Sequence, residues 1–316
     1  MRYSVFQVSR KGGRDDNEDR VAHSYTRETG LFVLADGMGG HPEGEVAAQL
    51  AVDSVASMFH RVAQPALSDP QEFLSQALLL AHHNIIRYSI QKKFDDSPRT
   101  TLVAAVVQGG QAHWVHCGDS RLYLTRGKRL LSRTRDHSYI EQQNAGIIRT
   151  QLINRNILFS CLGSPTKPIF ELGGPTPLEP GDRMMLCSDG LWDNLDDVRV
   201  VHELSRQPVA KSAPNMVEQA LRAGGARCDN VTVIAMEWQS ADSEEDTLRS
   251  PLAARASQGY ATTIQAGSLE PGQIELDEAE IERSIAEINA AIRRASQRKG
   301  AVKAAVPHLA SSGKTK

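Results

Sequence analysis

Acidic residues gather in five short stretches: Glu18-Asp19 in RDDNEDR, Asp36-Gly37 in LADGMGG, Asp119 in CGDSR, Asp189-Gly190 in LCSDGLWD and Asp229-Asn230 in CDNVTV. The recurring form is an apolar run, then Asp, then glycine or a small polar residue. A carboxylate at the end of a buried strand costs desolvation energy unless something positive neutralises it, and few Arg or Lys residues stand beside these sites. A divalent cation is the simplest partner, and all-oxygen ligation selects a hard ion such as Mg²⁺ or Mn²⁺ over zinc. Glycine after Asp lets the backbone turn sharply and frees its carbonyl as a further oxygen ligand. Any single Asp-Gly pair reads first as a turn. Here two of them close apolar runs, LFVLADG and RMMLCSDG, and DGMGGHPEG leads into a long helical pattern instead of a partner strand. Taken together, the set favours a metal centre.

The elements that must position these residues are short runs rich in β-branched or aromatic residues, predicted as strands near residues 3–8, 31–35, 101–107, 113–117, 121–125, 184–187 and 231–238. Two helical patterns separate the second from the third. In one, Val46, Leu50, Val55, Met58, Phe59 and Val62 recur at helical spacing, and in the other Leu74, Ala77, Leu78, Ala81, Ile85 and Ile86 do so. Runs of strands with few helices favour an α+β sandwich over a doubly wound sheet.

The 36 Lys and Arg against 38 Asp and Glu leave a net charge of −2, so nothing marks a binder of nucleic acid or of an anionic membrane. No apolar run approaches the roughly 20 residues of a membrane span, and MRYSVFQVSRKGG lacks the apolar core of a secretory signal. A cytoplasmic location is the expectation. Cys117, Cys161, Cys187 and Cys228 form no CxxC and are expected to be small buried hydrophobes, not a zinc knuckle or a disulfide scaffold. All Trp and Phe precede residue 239. The expected organisation is one domain over 1–239, a flexible linker over 240–273, an amphipathic helix over 274–299 and a disordered tail over 300–316.

The ordered series RDDNEDR, ADGMGGH, TTLVAAVV, CGDSRLYL, TRDHS, LCSDGLWDNL and DNVTV resembles the metal-dependent serine/threonine protein phosphatases of the 2C type, in their compact bacterial form, over residues 3–237. The resemblance implies a central β-sandwich of two antiparallel sheets flanked by helices on both sides. It implies two ions, Mn²⁺ or Mg²⁺, at one end of the sandwich, with a third and weaker site beside them. Carried onto this chain, Asp36 bridges the two ions, Asp189 and Asp229 complete the first, and the Gly37 carbonyl and Glu18, the latter through water, serve the second. Asp119 with Asp189 holds the third, assisted by Asp193, and Asp19 orients metal-bound water. Two ions about 3.5 to 4 Å apart bind one bridging water, lower its pKa toward neutrality and aim the hydroxide in line at phosphorus, with no phosphoenzyme. Arg14, four residues before Glu18, carries a fork of donors suited to phosphate oxygens, its plainer reading being a solvated loop arginine.

The chain departs from the family in two places. Animal members carry a His directly after the Asp-Gly pair, proposed to protonate the leaving oxygen, and this chain has Met38. His41 is the candidate acid in its stead, with metal-bound water as the alternative and a packing or capping role for His41 beside Pro42 as the other reading. Residues 139–156 match the mobile flap over the active site, without the His-Pro pair often seen there. HCGDSR leaves only three residues between Cys117 and Arg121, too few for the phosphate loop of a cysteine phosphatase. His113 and His116 are three apart in a strand pattern and so point to opposite faces, which argues against a joint metal site.

The leading function is hydrolysis of phosphoserine and phosphothreonine in phosphorylated proteins, opposing a cytosolic serine/threonine protein kinase. A phosphatase dedicated to one signalling regulator, such as an anti-sigma-factor antagonist, and a catalytically silent phosphoprotein-binding scaffold stand beside it. A silent member would lack a metal ligand, and here every expected carboxylate is present. In the tail, Ile274, Ile281, Ile288 and Ala295 repeat every seven residues and Ile285 and Ile292 join them, one apolar stripe that would dock on a partner, on the phosphatase domain or on a second copy. On that reading a chain ending at Gln239 keeps hydrolysis of a small phosphopeptide and loses association. Equal masses by light scattering, the same recovered partners, and no helical circular dichroism from the separate tail would remove it.

Overall fold

The computed structural model describes residues 1–138, 158 and 160–241, and the backbone of Ala261–Ile264. The expected flap, helix 274–299 and tail 300–316 lie outside the described residues. The chain divides into two units, Met1–Pro271 and Gly272–Lys316, and the described residues belong to the first.

In chain order the elements are β1 (Arg2–Arg10), β2 (Asp19–Tyr25), β3 (Thr29–Asp36), α1 (Gly44–Val62), α2 (Pro70–Lys92), β4 (Leu102–Gln108), β5 (Gln111–Cys117), β6 (Arg121–Arg126), β7 (Arg129–Arg133), β8 (Glu171–Pro177), β9 (Arg183–Cys187), α3 (Asp189–Trp192), α4 (Asp197–Arg206), α5 (Val209–Gly224), β10 (Val231–Ser240) and β11 (Ala261–Ile264). One sheet has the order β1-β10-β9-β6-β7 and the other β11-β2-β3-β4-β5-β8, and neighbouring strands pair antiparallel.

Strand alternation explains why the sheets stack. On β10, Ile234, Met236 and Trp238 join Phe32, Leu34, Val103 and Leu122 in the core between the sheets, while Val231, Val233 and Ala235 join Val200, Leu204, Met216 and Val217 under α4 and α5. The second sheet is covered by α1 against β2 and β3, and by α2 against β4 and β5. The buried face of α1 includes Val46, Leu50, Val55, Met58 and Phe59, as the periodicity predicts, whereas Val62 in the last turn is exposed. At the start of α2 the Asp69 side chain accepts from the Gln71 and Glu72 N–H groups, with Pro70 in the first turn. The result is the expected sandwich of two antiparallel sheets with helices on both sides. No helix among the described residues is long and apolar enough to cross a membrane, and all four cysteines are buried and free.

Several elements escape a pattern reading. All of β2 up to Ser24 is buried, including Asp19, Arg20 and His23, so its polar residues mask it. The sequence of β8, ELGGPTP, has the composition of a turn and forms a strand next to β5. Helix α5 carries Pro214 inside it. A strand also falls within the stretch read as linker: Ala261–Ile264 pairs with β2 between Ala22 and Tyr25. Four residues are too few to show alternation, though Thr262, Thr263 and Ile264 are β-branched.

Register brings the acidic motifs to one end of the sandwich. Asp19 opens β2 directly opposite Asp36, which closes β3. Cys187 at the end of β9 lies opposite Val233 near the start of β10 and opposite Arg121 at the start of β6. Asp189 therefore follows β9 where Asp229 precedes β10 and Asp119 precedes β6.

Candidate metal centre

Each carboxylate sits where a strand gives way to a turn, and hydrogen bonds to the backbone fix that turn. The Asp36 carbonyl accepts from Thr100 Oγ1 at 2.8 Å and from Thr101 N–H at 2.9 Å, and Thr101 Oγ1 lies 2.7 Å from Ser120 Oγ in the Asp119 turn. Asn230, 5% exposed, organises the loop before β2. Its Oδ1 accepts from Glu18 N–H at 2.8 Å, and its Nδ2 donates to the carbonyls of Lys11 and Asp16. Glu18 packs against the Asp36-Gly37 turn so closely that a Cβ on Gly37 would meet the Gly44 backbone and one on Gly44 would meet Glu18 Oε2. Glycine at 37 is therefore a steric requirement, and a side chain at 44 would displace the Glu18 carboxylate.

Asp19 is 2% exposed, and its Oδ2 accepts a hydrogen bond from Ser188 Oγ at 2.8 Å. Asp36, Asp119, Asp189, Asp229 and Glu18 are half-buried and reach the surface. Burial comes first and repulsion second in raising the pKa values of Asp36, Asp119, Asp189 and Glu18. The Asp36 carboxyl is pushed well above its ordinary range by burial and then by Asp19, Asp189, Asp119 and Asp229. Burial and then Asp119, Asp229, Asp19 and Asp193 do the same to Asp189. Asp119 is raised to about 7 by burial and then by Asp136 and Asp193, against the opposing pull of Arg121. Burial raises Asp19 to about 6 despite its hydrogen bonds, and burial and Glu45 raise Glu18. Seven acidic groups singled out from sequence thus share one electrostatic neighbourhood: Glu18, Asp19, Asp36, Asp119, Asp189, Asp193 and Asp229.

Arg14 is paired with Asp229, and that hydrogen bond and charge raise its pKa. Arg14 by itself cannot balance the set. Glu18 Oε2 and Asp19 Oδ1 are buried without a hydrogen-bond partner, an expensive state for carboxylate oxygens. An all-oxygen donor set with orphaned oxygens and excess negative charge fits hard divalent cations. His41 is placed otherwise: its Nδ1 lies 2.7 Å from Asp96 Oδ2, which shares Asp96 with Arg99. Among the described residues no contact joins His41 to the carboxylates.

Sequence reading passed over the groups that hold the ligands. Ser188 and Asn230 are flanking residues of acidic motifs with nothing in their spacing to single them out. Arg121 grips Asp136 through two hydrogen bonds of 2.8 and 2.7 Å and stacks 3.7 Å from the Trp192 ring. Trp192 in turn donates from Nε1 to the Asp119 carbonyl at 3.1 Å, linking α3 to the β5–β6 turn. These links join residues far apart in the chain, which no local motif displays.

A model of the protein phosphatase 2C family matches residues 9–223. The chain belongs to the protein phosphatase 2C family. Within that family, the serine/threonine protein phosphatase PstP of Mycobacterium tuberculosis is 34% identical over 236 residues, covering 71% of this chain and 42% of that protein. This chain thus spans less than half the length of that relative. Protein phosphatase PhpP of Streptococcus pneumoniae is 29% identical over 241 residues, covering 73% of this chain and 95% of that protein. The structure is similar to that of the PstP catalytic domain in complex with two manganese ions, with a TM-score of 0.62 and 33% identity over 75% of this chain and 99% of that one. It is also similar to Stp1 from Staphylococcus aureus, with a TM-score of 0.66 and 25% identity over 76% and 96% of the two chains.

The raised carboxyls bind protons more tightly in the folded chain than in the unfolded one, so their contribution is intact at low pH and is lost as pH rises through their folded values. His23, His82 and His137, held near 4 by burial, act in the opposite sense, but only below about pH 6.5. In chelator the midpoint of thermal unfolding should therefore fall between about pH 6.5 and pH 8.5, and added Mn²⁺ should raise it more at the higher pH. A midpoint gain from Mn²⁺ that shrinks with rising pH contradicts the reading of this cluster as a cation site.

Proposed function

We propose that this chain hydrolyses phosphoserine and phosphothreonine in phosphoproteins with Mn²⁺ or Mg²⁺, by the two-ion hydroxide route. The observation that carries it is the convergence of Asp36, Asp119, Asp189, Asp229, Glu18 and Asp19 on one open end of the sandwich, with Arg14 paired to Asp229. Asp36, Asp189 and Asp229 would hold one ion, and Asp36, Glu18 and the Gly37 carbonyl the second. Asp119, Asp189 and Asp193 would take a third. When bound, such ions make hydroxide available from water near neutral pH and offset charge on the phosphoryl group.

The protein's own groups supply the remainder. Arg14 is tied to Asp229 and more than half exposed. With Asp229 given over to a cation, the Arg14 guanidinium would be free to hold phosphate oxygens in a forked geometry. Asp19, fixed by Ser188, orients the water that attacks phosphorus. Cysteine chemistry has no support, because burial holds the Cys117 thiol up at about 12, beyond useful thiolate formation. Release of phosphate from protein side chains opposes a serine/threonine kinase, and we place both in the cytoplasm.

Asp36→Asn should cut turnover of a phosphothreonine peptide by at least about 100-fold, and chelator should abolish it. Full activity in either case sinks the two-ion reading. Arg14→Ala should lower kcat/KM by about 10- to 100-fold, the worth of hydrogen bonds to a charged group. The Mn²⁺ concentration for half-maximal activity should not rise in that variant. A rise with kcat/KM restored at saturating Mn²⁺ would assign Arg14 to the metals instead of the substrate.

A further inference from the structure

We propose that His116, His137 and Glu171 form a separate metal site that takes one ion of the zinc class. One ring nitrogen from each histidine and a Glu171 carboxylate oxygen lie within 4.8 Å of one another. Glu171 is the register partner of His116 across the β5–β8 ladder, so both side chains stand on one face of the sheet. His137 follows β7 and is fixed by its own N–H donating to the Gly118 carbonyl at 2.9 Å. Its ring lies against that of His116, with centroids 4.6 Å apart and planes at 34°, and its Nε2 is 3.9 Å from Glu171 Oε1.

A second, independent observation points to a ligand. His116 is 2% exposed, and its Nε2 is 2.7 Å from the Arg135 carbonyl, so Nε2 carries the proton and Nδ1 keeps its lone pair. That Nδ1 is buried with no hydrogen-bond partner. A ring nitrogen donating to a backbone carbonyl while the other stands free is the arrangement of a metal-bound histidine. Burial lowers both imidazole pKa values, that of His137 to about 4, and keeps the rings in the neutral form that ligates. Loading has a local cost. Gly118 N–H lies 3.3 Å from His137 Nδ1, a long contact that is given up when the ring proton moves to Nδ1 and Nε2 turns to the ion.

Two imidazoles and a carboxylate form a set that zinc accepts with a fourth position open to water, whereas Mg²⁺ keeps to oxygen. Ligand atoms around a tetrahedral zinc are about 3.3 Å apart, so the set must contract. Glu171 can supply the movement because its side chain is 59% exposed, and the same exposure opens a route for the ion. The carboxylate cluster is all oxygen and this set is mostly nitrogen, so the two select different ions. A bound ion would brace Gly118, the residue before Asp119, against the edge strand β8.

The test is a Zn²⁺ titration of the full chain against a competing chromophoric chelator, with Mg²⁺ saturating throughout to occupy the oxygen sites. The wild-type chain should hold one more equivalent than His116→Gln or His137→Gln. Glu171→Ala, a change at an exposed position that the fold tolerates, should weaken that equivalent by tenfold or more. Co²⁺ should give the visible bands of a four-coordinate site in wild type and lose them in His116→Gln. The extra equivalent should persist in Asp36→Asn, which separates this site from the phosphatase reading. Equal equivalents and affinities in wild type and all three variants, with no Co²⁺ band that depends on His116, overturn the proposal.

Discussion

Everything at the functional end of this molecule follows from one unfavourable interaction, the repulsion among carboxylates that the sandwich forces together. Asp36 feels Asp19, Asp189, Asp119 and Asp229 at once, and Arg14 alone cannot offset them. Left without cations, such a cluster neutralises itself by taking up protons, which is why Asp19 and Asp119 are pushed up to about 6 and about 7 and Asp36 and Asp189 well above the ordinary carboxyl range. A site of this kind gives up stability for the ability to hold hard cations, and the remaining fold supplies what the cluster consumes. Apolar clusters fill the layer between the sheets and the layer under α4 and α5.

The second requirement is rigidity. Repelling groups separate unless their backbones are held, and here each ligand-bearing turn is tied to another turn instead of to its own strand. Asn230 binds the loop of Glu18, Ser188 binds Asp19, and Thr100 and Thr101 bind the Asp36 backbone. Trp192, held by Arg121, binds the turn of Asp119. These neutral donors and acceptors position the carboxylates without cancelling their charge, so the negative potential stays available to cations.

The same logic separates the carboxylate cluster from the histidine pair beyond the Asp119 turn. One accumulates hard oxygens at an open rim, and the other keeps two neutral nitrogens buried beside a single exposed carboxylate. Membership of the protein phosphatase 2C family accounts for the first. The second arises from how β5, the residues after β7 and β8 meet.

What the sequence determined by itself is whatever a local pattern can carry. Apolar runs ending in Asp-Gly marked Asp36 and Asp189, because strand, turn and carboxylate are consecutive. The helical spacing of Val46 to Phe59 marked α1, because one face is buried throughout its length. Tertiary structure decided what depends on partners distant in the chain or on burial that reverses a residue's usual preference. Strand β2 was hidden because its Asp, Arg and His are buried among partners that only the fold supplies, and β8 because its glycines and prolines read as a turn. The pairing of Arg14 with Asp229 spans 215 residues, and His116 meets Glu171 only through register across two strands. Side-chain identity is written in the chain, but the free energy of a charge depends on its surroundings, and those are assembled only when the sheets close.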